Sequence, residues 1–124
     1  MSRPASQPLV RVREISLALP ETSERLSHGA PTFFVRGKTS FVSYRDNHHE
    51  DGRVALWCAA PQGVQRGLVG ASPERFFVPP YVGYRGWIGV RLDRGASWDE
   101  IERVIREAYV TVAPKSLIAL PRRS

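Results

Sequence analysis

The chain has 124 residues, 42% of them apolar and 24% charged, which suits one soluble globular unit with a core of its own. The lone Cys58 excludes an internal disulfide framework, and no run approaches the roughly 18 consecutive apolar residues of a membrane span. Eighteen basic residues against twelve acidic ones leave a net charge of +6, and only Lys38 and Lys115 among the basic residues are not arginine.

A cationic balance of this size raises the prospect of an anionic partner such as nucleic acid, and arginine suits bidentate phosphate contacts. The arginines are nevertheless scattered, with no block of five like charges, so each reads equally well as a solvated surface residue. The single cysteine and the lack of an opening signal-peptide pattern point to a reducing cytoplasm and no membrane partner.

Residues 1–7 read as a flexible N-terminus, 8–120 as one domain, and 121–124 as a flexible C-terminus. The first helix is predicted from Pro8 to Leu19, capped by Ser6, with Leu9, Val12, Ile15 and Leu19 on one face and Pro20 as its stop. Residues 21–30 read as polar and turn-like. Three strands follow, over 32–36, 39–45 and 53–59, with Gly37-Lys38 as a tight turn and Asp51-Gly52 as a second turn signal. Alternation places Phe41 and Ser43 opposite Val42 and Tyr44, and places Val54, Leu56 and Cys58 on one side of the third strand.

A short helix over 61–70 is weakened by Gly63 and Gly67. Strands over 75–78 and 86–92 flank a Pro79-Pro80 corner that cannot be a central strand. Ser97-Trp98-Asp99-Glu100 is a capping box, and Ile101, Val104, Ile105, Ala108, Tyr109 and Val112 continue at helical spacing until Pro114. One short turn over 115–120 follows. Hairpin-length connections and two amphipathic helices imply an α+β two-layer domain: an antiparallel sheet with the N- and C-terminal helices packed on one face.

His48-His49-Glu50-Asp51 gathers possible metal ligands, but adjacent histidines in extended chain point apart, so the stretch reads as a solvated loop and no metal or cofactor is expected. Cys58 with His28 as base is weighed as a nucleophile pair, although Cys58 sits in an apolar strand and reads as packing. No P-loop, G-x-G-x-x-G, H-E-x-x-H or G-x-S-x-G occurs, and no catalytic residue is assigned. In the strand 86–92, Ile88, Val90 and Leu92 form the better core face. Trp87 and Arg91 are therefore expected on the open side of the sheet, where they suit either a binding surface or a dimer interface.

His28-Gly29-Ala30-Pro31-Thr32-Phe33, Gly37-Lys38, Leu56-Trp57, Pro61, Pro73-Glu74-Arg75-Phe76-Phe77-Val78-Pro79, Gly86-Trp87-Ile88-Gly89-Val90 with Leu92-Asp93, and Ala108-Tyr109 occur in an order that resembles the MmcQ/YjbR family, over roughly residues 9–118. The resemblance implies a compact α+β fold similar to the frataxin-like arrangement, described as a double wing, and a DNA-binding label. The chain departs from that pattern at Cys58 and at Gly83-Tyr84, where many members carry Lys and Asn-Lys.

Three readings stay open. A DNA-binding surface would use Arg36, Lys38, Tyr81, Arg85, Trp87 and Arg91, with phosphates setting a weak, salt-sensitive affinity. A module for a small anionic ligand would use His28, Lys38, Trp57, Arg75, Tyr81 and Trp87. A protein-interaction or dimerisation module would bury the aromatic sheet face, and the oligomeric state is left open.

Overall fold

The computed structural model describes residues 6–47 and 52–118. Its elements in chain order are α1 (Ser6–Leu17), β1 (Thr22–Ser27), β2 (Ala30–Val35), β3 (Thr39–Asp46), β4 (Val54–Cys58), α2 (Val64–Ala71), β5 (Phe76–Phe77), a 3-10 turn at Gly83–Arg85, β6 (Ile88–Arg91), α3 (Trp98–Val112) and α4 (Lys115–Ile118). The six strands form one antiparallel sheet in the order β1-β2-β3-β4-β6-β5. Helix α3 lies on β3 and β4, and α1 packs on both α3 and β3, so the terminal helices share one face as the two-layer reading expected.

Several local expectations are corrected. Residues 21–30 are no open turn: they hold β1, a strand hidden from pattern reading because it is an edge strand whose residues are exposed or half-buried throughout. Arg13 of α1 grips its Glu24 through two hydrogen bonds of 2.7 and 2.8 Å. Ser6 already lies within helix α1 rather than capping it, and the helix ends at Leu17 before Pro20. The β2–β3 turn is centred on Arg36-Gly37, one residue earlier than expected, and both adopt positive φ (54° and 66°). Lys38 N–H closes it on the Val35 carbonyl at 3.0 Å, the two-residue geometry that matches strand twist. The expected strand 75–78 contracts to Phe76–Phe77, because Val78 leads directly into the buried Pro79.

A bulge sets the sheet's polarity. Phe33 pairs with Val42 but Phe34 pairs with Ser40, leaving Phe41 as an extra residue on β3. Phe41 thereby joins Val42 on the helix side instead of facing away with Ser43, and its ring meets Tyr109 of α3 edge-on at 5.7 Å. The core between sheet and helices is built from Phe33, Val42, Leu56, Cys58, Val90, Ile101 and Ile105, all essentially buried.

Helix α3 begins as its capping sequence dictates, with Ser97 Oγ accepting from the Glu100 amide at 3.1 Å. The Glu100 carboxylate, expected to reach back to the cap, pairs instead with Arg75. At the far end of α3, Tyr109 donates its hydroxyl to the Pro20 carbonyl at 2.8 Å and ties the helix to the α1–β1 connection. The His48-His49-Glu50-Asp51 loop, residues 1–5 and residues 119–124 lie outside the described residues.

Candidate nucleic-acid interface

Period-two alternation gives the sheet a second face, turned away from α1 and α3. Arg25, Thr32, Ser43, Trp57, Gly89 and Phe77 are successive register partners on it, one from each strand. A second row lies beside the first: Arg45, Ala55 and Arg91 are register partners on β3, β4 and β6. Arg53 stands two residues before Ala55 and so points to the same side. Opposed Cβ atoms in such a ladder are about 5 Å apart, so Arg45 and Arg91 flank a single methyl group.

Aromatic rings on this face are covered by arginines. The Arg25 guanidinium carbon lies 3.7 Å from the Phe34 ring centre, Arg45 lies 4.0 Å from Trp57, and Arg53 lies 4.0 Å from Phe77. Each such contact contributes on the order of 0.5–2 kcal/mol, more as water is excluded. It also holds a flexible cation in one place, which lowers the entropy lost when a phosphate arrives.

Arg45 is held by a hydrogen-bond chain as well as by its ring contact. Its Nε donates to Ser43 Oγ at 2.9 Å, and Ser43 Oγ shares a hydrogen bond of 3.3 Å with Thr32 Oγ1. Burial pulls the Arg45 guanidinium below the usual arginine range, and the nearby Tyr81 phenol offsets part of that. It stays cationic at neutral pH, because arginine starts so high. Among the described residues neither Arg25 nor Arg45 has a carboxylate partner. Arg91 is shared with Asp93 through contacts of 3.1 and 3.3 Å.

Gly89 is required where it stands. A Cβ there would lie 2.3 Å from the Phe77 ring, so any side chain would displace the ring on which Arg53 rests.

Of the six residues proposed for nucleic acid, the structure brings three to this face or its rim. Tyr81 packs against Trp57 with ring centres 6.5 Å apart and remains 68% exposed. Arg91 stands in the second row. Lys38 is exposed at the β2–β3 turn, next to Gly37, whose carbonyl accepts from Arg25 at 3.1 Å. Arg36 shares that turn but is paired with Glu21 at 2.7 Å.

Trp87 is corrected: it is only 5% exposed and belongs to the core cluster. The strand begins one residue later, at Ile88, and the Trp87 carbonyl is held by Gln65 Nε2 at 2.6 Å while Arg85 covers the ring at 5.3 Å. No base can reach it.

The six residues proposed for a small anion do not form one pocket. His28 occupies the β1–β2 turn at positive φ (53°) and lines a cleft of about 410 Å³ with Tyr44, Arg45 and Asp46. Lys38 lies at the other end of β2, roughly 20 Å away by strand rise. Arg75 is held by Glu100, Trp57 and Tyr81 are on the open face, and Trp87 is buried.

The Cys58–His28 pair is not assembled either. Cys58 is fully buried on the helix side, where burial pushes its thiol far up, so it carries no thiolate near neutral pH. Among the described residues no cluster of three or more His, Cys, Asp or Glu could hold a metal.

Arg25, Phe34, Arg45, Arg53 and Phe77 were missed as site residues. For Arg53 the signal was present: it stands on the side opposite the Val54, Leu56 and Cys58 face once alternation is extended. Alternation along its own strand puts Arg45 with Ser43 and Phe41, and only the bulge separates Phe41 from them. Arg25 could not be found without β1.

The molecule is therefore an α+β sheet domain with one apolar face under helices and one arginine-aromatic face outside them. It belongs to the YjbR family, whose model matches residues 17–111. The crystal structure of Deinococcus radiodurans protein DR2400, with its DUF419 domain, is similar in fold, with a TM-score of 0.73 at 18% identity over 93% of this chain and 85% of that one. No curated protein matches the chain. Among the described residues no helix is long and apolar enough to cross a membrane.

Proposed function

We propose that the protein binds DNA through the arginine-aromatic face of its sheet, by contacts to the phosphate backbone. The observation that carries this reading is the stacking of Arg25, Arg45 and Arg53 on three rings of one sheet face. Two of these cations lack a carboxylate partner among the described residues. The net charge of +6 and the YjbR family membership agree with it.

The burial pattern refines the mechanism. Phe34 and Trp57 are covered, so on this face arginines occupy the positions where bases would stack. Such a surface holds phosphates and reads little sequence. Engagement of about five phosphates gives a log–log salt slope near −4 to −5 on duplex. Fluorescence anisotropy of a labelled duplex between low and moderate salt tests this. Binding with that slope is expected; salt-insensitive binding, or none at low salt, removes the reading.

A small anionic ligand is the second reading, favoured by the His28 cleft, which also reaches Arg45. Its test is a thermal-shift screen of metabolite anions. Stabilisation that is lost in His28→Ala would select it over DNA.

A further inference from the structure

A polar groove of about 610 Å³ opens between α2 and the loop that precedes β6, lined by Gln62, Gln65, Arg66, Tyr84 and Arg85. None of these residues belongs to the sheet face described above. Tyr84 is 88% exposed, the most exposed large ring among the described residues. Neither Arg66 nor Arg85 has an acidic partner among the described residues.

The groove is held in shape. Gln65 Nε2 donates to the Gly83 carbonyl at 2.8 Å and to the Trp87 carbonyl at 2.6 Å, bolting the loop to α2 on both sides of Tyr84 and Arg85. Arg85 rests over the Trp87 ring at 5.3 Å. Gly83 permits the close turn, since a Cβ there would lie 2.5 Å from Val78 Cγ1.

We infer that this groove takes one nucleotide unit, with the base stacked on Tyr84 and the phosphate between Arg66 and Arg85. The lining offers contacts to both halves of such a ligand. An exposed ring offers a π-face to any base, and two uncompensated guanidinium groups offer bidentate sites to one phosphate. The volume falls within the usual range for small-ligand sites. A base inside a duplex is already stacked and cannot use Tyr84, so the groove selects an unpaired nucleotide. The inference goes beyond the sheet-face reading, which concerns backbone phosphates in any strand. Gln65 acts as a positioning residue, since it touches the loop and not the phosphate.

The test titrates labelled dT15, a duplex of equal length, and free dTMP against the wild type and against Tyr84→Ala, Tyr84→Phe and Arg66→Ala/Arg85→Ala. Tyr84→Ala is expected to weaken dT15 binding about 5- to 150-fold, the usual cost of losing one stacked base, while duplex binding stays unchanged. Tyr84→Phe retains the affinity. Gln65→Ala weakens dT15 binding in the same direction, with Arg66 and Arg85 intact. Saturation by dTMP at comparable concentration identifies a free nucleotide as the source; saturation by dT15 alone identifies a strand. If dT15 binding is the same in wild type, Tyr84→Ala and the double arginine variant, or if neither dT15 nor dTMP binds, the inference is overturned. Thermal melting of each variant, including the half-buried Gln65→Ala, confirms that the chain stays folded. Duplex binding lost in the wild type as well would instead sink the sheet-face reading, so the two failures are distinct.

Discussion

The two faces of the sheet solve the same problem with different materials. On one face Phe33, Phe41, Val42, Leu56 and Val90 are covered by α1 and α3, and rings meet rings, as Phe41 meets Tyr109 at 5.7 Å. On the other, Phe34, Trp57 and Phe77 are covered by the side chains of Arg25, Arg45 and Arg53. Both arrangements remove apolar surface from water, but they differ in what they leave outside. A helix presents its own solvated side, whereas a stacked arginine presents a charge fixed in place. Burial alone therefore does not separate core from site here: Trp57 is 2% exposed and still belongs to the charged face.

The largest expected effect lies on the helix side. Ile105 is fully buried between α3 and the sheet, and Ile105→Ala should cost about 2–5 kcal/mol in urea unfolding while leaving any DNA salt slope unchanged in the folded protein. Arg45→Ala should do the reverse. It should cost only about 0.5–2 kcal/mol of stability from the lost ring contact. It should also flatten the duplex salt slope by about 0.9, the share of one phosphate. A stability loss in Arg45→Ala equal to that of Ile105→Ala would break the comparison, because the arginines would then be core material and nothing more.

The smallest effect concerns Asp93. Burial works against its carboxylate, but hydrogen bonds from Arg91 and the Val54 amide outweigh that and hold its pKa below the ordinary value. A lowered folded pKa means stability that is present above the unfolded value, near 3.9, and lost as the pH falls through the folded one. Wild type should thus be slightly more stable than Asp93→Asn at neutral pH, with the gap closing only in acid. A gap that is the same at pH 2 and pH 7 would show that Asp93 acts by shape alone. In the DNA titration Asp93→Asn also frees Arg91 and should strengthen duplex binding modestly.

Much of the layout was legible in the residues. Ser97 through Val112 announces its helix by a cap and a period, and the β3 and β4 patterns are strong because one face of each strand is apolar. The Val54, Leu56 and Cys58 stripe already implied that Arg53 and Trp57 face the other way. The opposite holds for β1, where Thr22–Ser27 carries no apolar alternation and is a strand only because β2 supplies its hydrogen-bond partners.

What the chain alone determined is the local order of elements and the helix-facing stripe, since hydrophobic period and capping act between near neighbours. What only the tertiary structure decided is which cations share a surface. Arg25, Arg45, Arg53 and Arg91 come from four separate segments, and strand register, a property of paired strands and not of any one of them, sets their distances. The bulge at Phe41 and the burial of Trp87 belong to the same category. The bulge turns Phe41 across the sheet by a shift of one residue, and the packing of distant elements, not local preference, selects both that shift and the burial of Trp87.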